Sequence, residues 1–161
     1  MTPPENKSPP RARGPKAAQA RGSGQAAGGQ AVAAMAFVTA INRRDPRAIA
    51  RLTGEGYTFI DSRGAEHTGR SNALAGWRQY FRIFPDYEIK VDHVAEGAGF
   101  AALFGSARGT YNGRRGLVPR NRIWMPAAWR AVAKDGRIVI WQVYADWTEG
   151  IRIMEEDAKS G

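Results

Sequence analysis

The dipeptide Asp135-Gly136 lies between two long runs of strand-forming residues. A type I′ turn needs positive φ at both central positions, which Asp and Gly adopt readily. The flanks, 122–134 and 137–147, are dense in β-branched and aromatic side chains, the residues that suit a pleated surface. A long antiparallel hairpin is therefore predicted. With Lys134 opposite Arg137 and uninterrupted pairing, Met125 faces Asp146, Ala127 faces Tyr144, Trp129 faces Gln142 and Ala131 faces Ile140. Alternation then puts Met125, Trp129, Ile138, Ile140, Gln142, Tyr144 and Asp146 on one side. Trp124, Arg130, Val132, Val139, Trp141, Val143 and Trp147 take the other. Both sides carry large apolar groups, so neither is expected to be fully solvated. One is expected to line a pocket and the other to meet a second subunit.

Upstream, the period of the apolar residues changes. Residues 30–43 place Val32, Met35, Ala36, Val38 and Ile41 at helical spacing, with Phe37 flanking the stripe. Asp45-Pro46 supplies an N-cap and a proline at the first helical position, predicting a short helix over 46–52. Residues 57–61 form a strand with Tyr57, Phe59 and Asp61 on one face, and 62–69 a loop. Residues 71–84 form an amphipathic helix carrying Leu74, Trp77, Tyr80, Phe81 and Phe84, ended by Pro85. Strands follow over 87–96 and 100–111, then a Gly/Arg-rich loop over 112–121, then the hairpin. A helical turn is expected over 151–157. The order α-α-β-α-β-β-β-β describes an α+β fold. Its curved antiparallel (mixed) sheet, wrapped around helices, would leave a cone-shaped cavity suited to a ligand.

Composition narrows the function classes. The 161 residues include no cysteine and two histidines, His67 and His93. Disulfides, thiolate metal sites and a cysteine nucleophile are thus absent, and no metal centre is expected. No apolar run approaches the ~20 residues of a membrane span, and no h-region opens the chain. The expected compartment is cytoplasmic, with no membrane partner. Residues 1–29 hold five of the nine prolines and five basic residues against one acid. They read as a disordered basic Pro/Gly/Ala-rich tail, ahead of a domain over 30–157 and a flexible end over 158–161. The net charge of +9 raises the question of nucleic acid. The tail lacks the interleaved aromatics that stack bases, so no specific nucleic-acid partner is expected.

The helix pair, the FID strand, the HTGR loop, FPDYEIKVDHV, GTYNG and the closing DGRIVIWQVYAD together resemble the SnoaL-like branch of the nuclear-transport-factor-2-like superfamily, over about residues 30–155. The resemblance implies a cone-shaped α+β barrel that commonly dimerises through its outer sheet face. It implies functions from polyketide cyclase, ketosteroid isomerase, epoxide hydrolase and dehydratase to binding without catalysis. In the cyclases an aspartate on the last strand is the general acid/base, and Asp146 occupies the corresponding position. The histidine that accompanies it there has no match in this chain. The implied chemistry needs no cofactor.

Asp146 is accordingly the candidate catalytic residue. Flanked by Tyr144, Trp147, Met125 and Trp129, it is expected to be partly desolvated, with its pKa raised into a range useful for proton transfer next to a carbonyl. The alternative is a carboxylate that caps the strand end or pairs with Arg152. Candidate ligand-binding residues are Tyr57, Asp61, Trp77, Tyr80, Met125, Trp129, Gln142 and Tyr144. The tyrosines offer hydroxyl donors on apolar rings, and a buried Gln142 must find a partner. Asp61 either faces the pocket or starts an Asx-turn over Ser62-Arg63. His67 is read as exposed in its loop and His93 as half-buried on its strand. The run Arg108, Arg114, Arg115, Arg120 and Arg122 is either a solvated loop or a guide for an anionic ligand. Two functions follow: a cofactor-independent cyclase- or isomerase-type enzyme acting on a small apolar or carbonyl-containing compound, or a non-catalytic binding or dimerisation module.

Overall fold

The structure is a computed structural model and describes residues 29–160. Of the tail expected over 1–29, all but Gly29 lies outside the described residues. The helices are α1 (Gly29–Asn42), α2 (Pro46–Leu52), α3 (Arg70–Ile83) and α4 (Thr148–Ala158). The strands are β1 (Thr53–Ile60), β2 (Glu66–Thr68), β3 (Glu88–Gly97), β4 (Phe100–Thr110), β5 (Arg122–Lys134) and β6 (Arg137–Ala145). They form one six-stranded sheet in the order β2-β1-β6-β5-β4-β3. β1 runs parallel to β6 and the other pairings are antiparallel. The α+β class and the wrapped mixed sheet hold, and the sheet stays open between β2 and β3. β2 lies inside the stretch expected to be a loop, because Phe59 and its neighbours pair with it. No helix among the described residues is long and apolar enough to cross a membrane.

Helix α1 packs on the inner side of β3, β4, β5 and β6, held at both ends by side-chain amides that mimic strand pairing. Gln30 accepts from Ala133 N and donates to Ala133 O, and Asn42 does the same with Ile89. Glu96 accepts from the Gln30 and Ala31 N–H groups, covering donors that a helix start leaves free. These tethers turn the helix from the orientation its periodicity suggests. Ala33, Ala34, Phe37, Val38 and Ile41 are buried, while Val32, Met35 and Ala36 are exposed. Phe37, expected at the flank, stands at the centre, 4.9 Å from the Trp141 ring and 6.1 Å from Tyr57. Truncating such a ring to alanine typically costs about 3–5 kcal/mol.

The hairpin forms with the expected turn, Asp135 at φ 51° and Gly136 at φ 74°. Its register departs two pairs later. Lys134 pairs with Arg137 and Ala133 with Ile138, but Val132 pairs with Ile140, leaving Val139 as an extra residue. One inserted residue moves every later side chain to the opposite face. Val143 rather than Gln142 therefore lies opposite Trp129, and Trp141 opposite Ala131. The bulged Val139 packs over Gly54, where a Cβ would come within 2.9 Å of Val139 Cγ1. The cause is the apolar pattern itself. Trp141, Val143, Ala145 and Trp147 alternate with Gln142, Tyr144 and Asp146, and only a shifted register puts the first set on the buried face of β5.

Candidate functional site

Below α1 the inner face of the sheet does not close. A cavity of about 750 Å³ lies between β5 and β6 on one side and α3 and α4 on the other. Helix α3 shows why it stays open. The helix is amphipathic as predicted, yet none of its residues is fully buried, because Ala73, Gly76, Trp77, Tyr80 and Ile83 line open space. Helix α4, longer than the expected turn, adds Ile151 and Met154. It is fastened by Asp157, which is 1% exposed and accepts from Arg114 N, Arg115 N and Arg115 Nε. Desolvation opposes that charge, but the two N–H groups and the guanidinium outweigh it and hold the carboxyl below its usual range. Two of the arginines read as a possible anion guide are thus committed elsewhere: Arg115 to Asp157 and Arg108 to Glu88.

The cavity has a closed end and a rim. Tyr57, Tyr87, Met125, Trp129 and Trp141 form the closed end, all buried. Burial raises the pKa of Tyr57 and pushes the Tyr87 phenol up to about 12. Tyr80 is raised as well, by burial and by the Tyr87 phenol beside it, the two rings meeting edge to face at 4.9 Å. The phenols are therefore neutral donors at ordinary pH. At the rim stand Asp61, Arg63, Glu66, His67, Thr68 and Asn72. Asp61 Oδ1 accepts from Arg63 N and Ala65 N, an Asx-turn, and the same residue also faces the cavity. Desolvation works against its charge, yet those N–H groups and the charges of Arg63 and His67 lower its pKa. His67 Nε2 lies 3.8 Å from Asp61 Oδ2, with the imidazole stacked on Phe59 at 5.8 Å.

Of the sequence candidates, Tyr57, Asp61, Trp77, Tyr80, Met125 and Trp129 line this one cavity. Gln142, Tyr144 and Asp146 do not. The Val139 bulge turns Gln142 and Tyr144 outward, where Gln142 Oε1 accepts from Arg130 Nε at 3.0 Å and Tyr144 is exposed. Asp146 is exposed, and its Oδ1 accepts from Thr148 N at 2.9 Å and Thr148 Oγ1 at 2.6 Å. Those bonds lower its pKa, the reverse of the expected rise, and tie it to Thr148, the first residue of α4. Arg152, the alternative partner, pairs with Glu149 and Glu156 instead. His93 is exposed on β3, just past a bulge at Asp92, rather than half-buried. Trp141, Val143, Ala145 and Trp147 were missed as lining residues. Their signal was the unbroken apolar alternation from 141 to 147.

Residues 34–141 match the SnoaL-like domain family. No curated protein matches the sequence. Among solved structures, an NTF2-like protein of unknown function from Burkholderia pseudomallei superposes with a TM-score of 0.68 at 16% identity, covering 80% of this chain and 98% of that one. A protein provisionally named a SnoaL-like polyketide cyclase, from Shewanella denitrificans, gives 0.66 at 11%, covering 82% and 98%. An epoxide hydrolase of LEH-like type from M. tuberculosis gives 0.63 at 14%, covering 81% and 93%. At such identities the superpositions speak for the fold, and the family match, spanning well over half the sequence, places this chain in the SnoaL-like family on the NTF2-like cone fold.

Proposed function

We propose that this SnoaL-like protein encloses one small, largely apolar molecule. The observation that carries this reading is the cavity, whose about 750 Å³ falls within the range of roughly 300–1,000 Å³ usual for small-molecule sites. Its closed end is aromatic and apolar, and polar groups gather at the rim. Four of the five tryptophans, Trp77, Trp129, Trp141 and Trp147, line it. Occupancy should therefore quench or shift the intrinsic fluorescence and raise Tm with the logarithm of ligand concentration above Kd. Native mass spectrometry of freshly purified protein tests the reading: a bound small molecule released on denaturation is expected. An empty protein that no apolar compound stabilises would count against it.

A second reading, cofactor-independent acid/base catalysis of cyclase or isomerase type, is favoured by the His67–Asp61 pair at the rim. Asp61 Oδ2 and His67 Nε2 stand 3.8 Å apart, which puts a carboxylate and an imidazole side by side at the cavity mouth, within reach of one substrate. Asp146 lies outside the cavity and takes no part. His67→Gln should then abolish turnover and leave ligand affinity nearly unchanged. We also propose a homodimer through the outer sheet face, where Phe104, Trp124 and Tyr144 are all exposed; large apolar groups left exposed on one sheet face commonly mark an interface.

A further inference from the structure

The polar groups of the cavity are not spread evenly over its wall. Its carboxyl, guanidinium and imidazole groups, on Asp61, Arg63, Glu66 and His67, all fall in one stretch at the rim. Alternation along β2 sorts them further. His67 pairs with Phe59, and Phe59 with Trp141, so the imidazole stands on the inner face and the Glu66 side chain on the outer one. Asp61, Arg63 and His67 are left to meet whatever enters. The mouth stays wet, with the His67 side chain 59% exposed and that of Asp61 24%. The closed end is the opposite. The Tyr57 hydroxyl and the Trp129 indole N–H are sealed within the wall and present no surface to the cavity, and the Tyr87 phenol stands against Tyr80. A ligand at that end meets ring carbon, the Met125 thioether and Ala127.

That division restricts the ligand. A polar group carried to the closed end gives up its water and gains no partner there, which is costly. At the mouth the same group keeps its water and can bond to the protein as well. The signs at the mouth are mixed. Asp61 is held ionised, with Oδ1 taken by Arg63 N and Ala65 N and Oδ2 facing His67. The Arg63 guanidinium adds a positive charge near enough to act on it. A carboxylate head would lie against Asp61, and an ammonium head against Arg63. A hydroxyl or a primary amide both accepts and donates, so it can accept from Arg63 and donate to Asp61. We infer that the cavity takes a one-headed amphiphile, apolar end first, whose uncharged head, of the alcohol or primary amide class, stays at the mouth among Asp61, Arg63 and His67. This rests on the binding reading above and adds the ligand's polarity, its direction of entry and the residues that read its head.

The test uses the full chain and four probes on one phenylbutyl frame. Tryptophan fluorescence gives the affinities, and intermolecular NOEs give the direction. 4-Phenylbutan-1-ol should bind with its ring against Met125 and its CH2OH group near the His67 imidazole. 4-(4-Hydroxyphenyl)butan-1-ol, which carries a second hydroxyl into the closed end, should bind about tenfold more weakly. 4-Phenylbutyrate and 4-phenylbutylamine, both charged at neutral pH, should each bind several-fold more weakly than the alcohol. Asp61→Asn keeps an oxygen for the two N–H groups of its turn. It should raise affinity for 4-phenylbutyrate several-fold and leave that for the alcohol unchanged. A diol that binds as tightly as the alcohol, or an alcohol whose CH2OH group contacts Met125, would overturn the direction of entry. A charged probe that outbinds the alcohol would overturn the neutral head, as would an Asp61→Asn variant without effect on the acid. Each of these results leaves the binding reading intact. If none of the four binds, this inference falls, and native mass spectrometry of the purified protein still decides the binding reading.

Discussion

The two faces of this one sheet, built from alternate residues of the same strands, have opposite fates. On the inner face Trp129, Trp141 and Met125 are buried against Phe37 and the cavity. On the outer face Trp124 is 65% exposed and Tyr144 52%. Tryptophan occurs on both, so residue type does not separate them. What separates them is position relative to α1, whose amide tethers at Gln30 and Asn42 fix which face the helix covers. A tryptophan inside is a structural element that a ligand can touch. A tryptophan outside, on the face that also carries Phe104 and Tyr144, is left to solvent.

That contrast can be broken most severely at Trp141. With the ring 4.9 Å from Phe37 and 0% exposed, Trp141→Glu would place a carboxylate in the core without a counter-charge. The expected loss is above about 4 kcal/mol, enough to remove a cooperative melting transition. Circular dichroism on heating measures it, and a folded variant would mean that residue 141 reaches solvent. Next comes the fastening of α4 over the cavity. Asp157→Asn removes the charge that holds Arg115 and two N–H groups. Tm should fall on the order of 10 °C, with weaker ligand binding. Since the folded pKa of Asp157 is depressed, its contribution is complete above the unfolded carboxyl value, about 3.9. It is lost as pH falls through the lower folded value. The Tm gap between wild type and variant should therefore close in strong acid and stay constant from pH 6 to 8.

At the outer face the same kind of change should act on assembly instead. Trp124→Glu is expected to convert a dimer to a monomer in sedimentation velocity while the monomer retains its cavity and its ligand. A wild type already monomeric at high concentration would remove the interface proposal.

The sequence carried the elements further than it carried the site. Asp45-Pro46 marked α2, Asp135-Gly136 marked the turn and Pro85 the end of α3, because each is a local backbone preference that tertiary contacts merely confirm. The face of each strand is a different kind of information. Continuing the hairpin register from Lys134–Arg137 put Gln142, Tyr144 and Asp146 inside, and one bulged residue, Val139, put them outside. The alternation of Trp141, Val143, Ala145 and Trp147 against those three polar residues already argued for the shift. Residues away from that hairpin half, among them Tyr57, Trp77 and Tyr80, needed no such register and do reach the cavity. The tethers that rotate α1 join residues up to 103 positions apart, beyond the reach of periodicity.

The smallest expected effect is at Asp146, the residue with the strongest claim on sequence grounds. Its carboxylate is exposed and bonded to Thr148, so ionisation helps the folded state. The depressed folded pKa means that its stabilisation is present above about pH 4 and fades as pH falls through the folded value. Asp146→Asn keeps a side-chain oxygen able to accept from Thr148 N and Thr148 Oγ1. The variant should therefore melt within about 2 °C of wild type near neutral pH, slightly lower rather than higher. A desolvated catalytic carboxylate would give the opposite sign, because removing its charge relieves a cost. Asp146→Ala, which removes the acceptor altogether, should cost more than the amide. Ligand affinity should be unchanged in both variants, since neither alters the cavity wall. A raised Asp146 pKa by NMR titration, together with a stabilised Asn variant, would return that carboxylate to the inner face and with it the unshifted register.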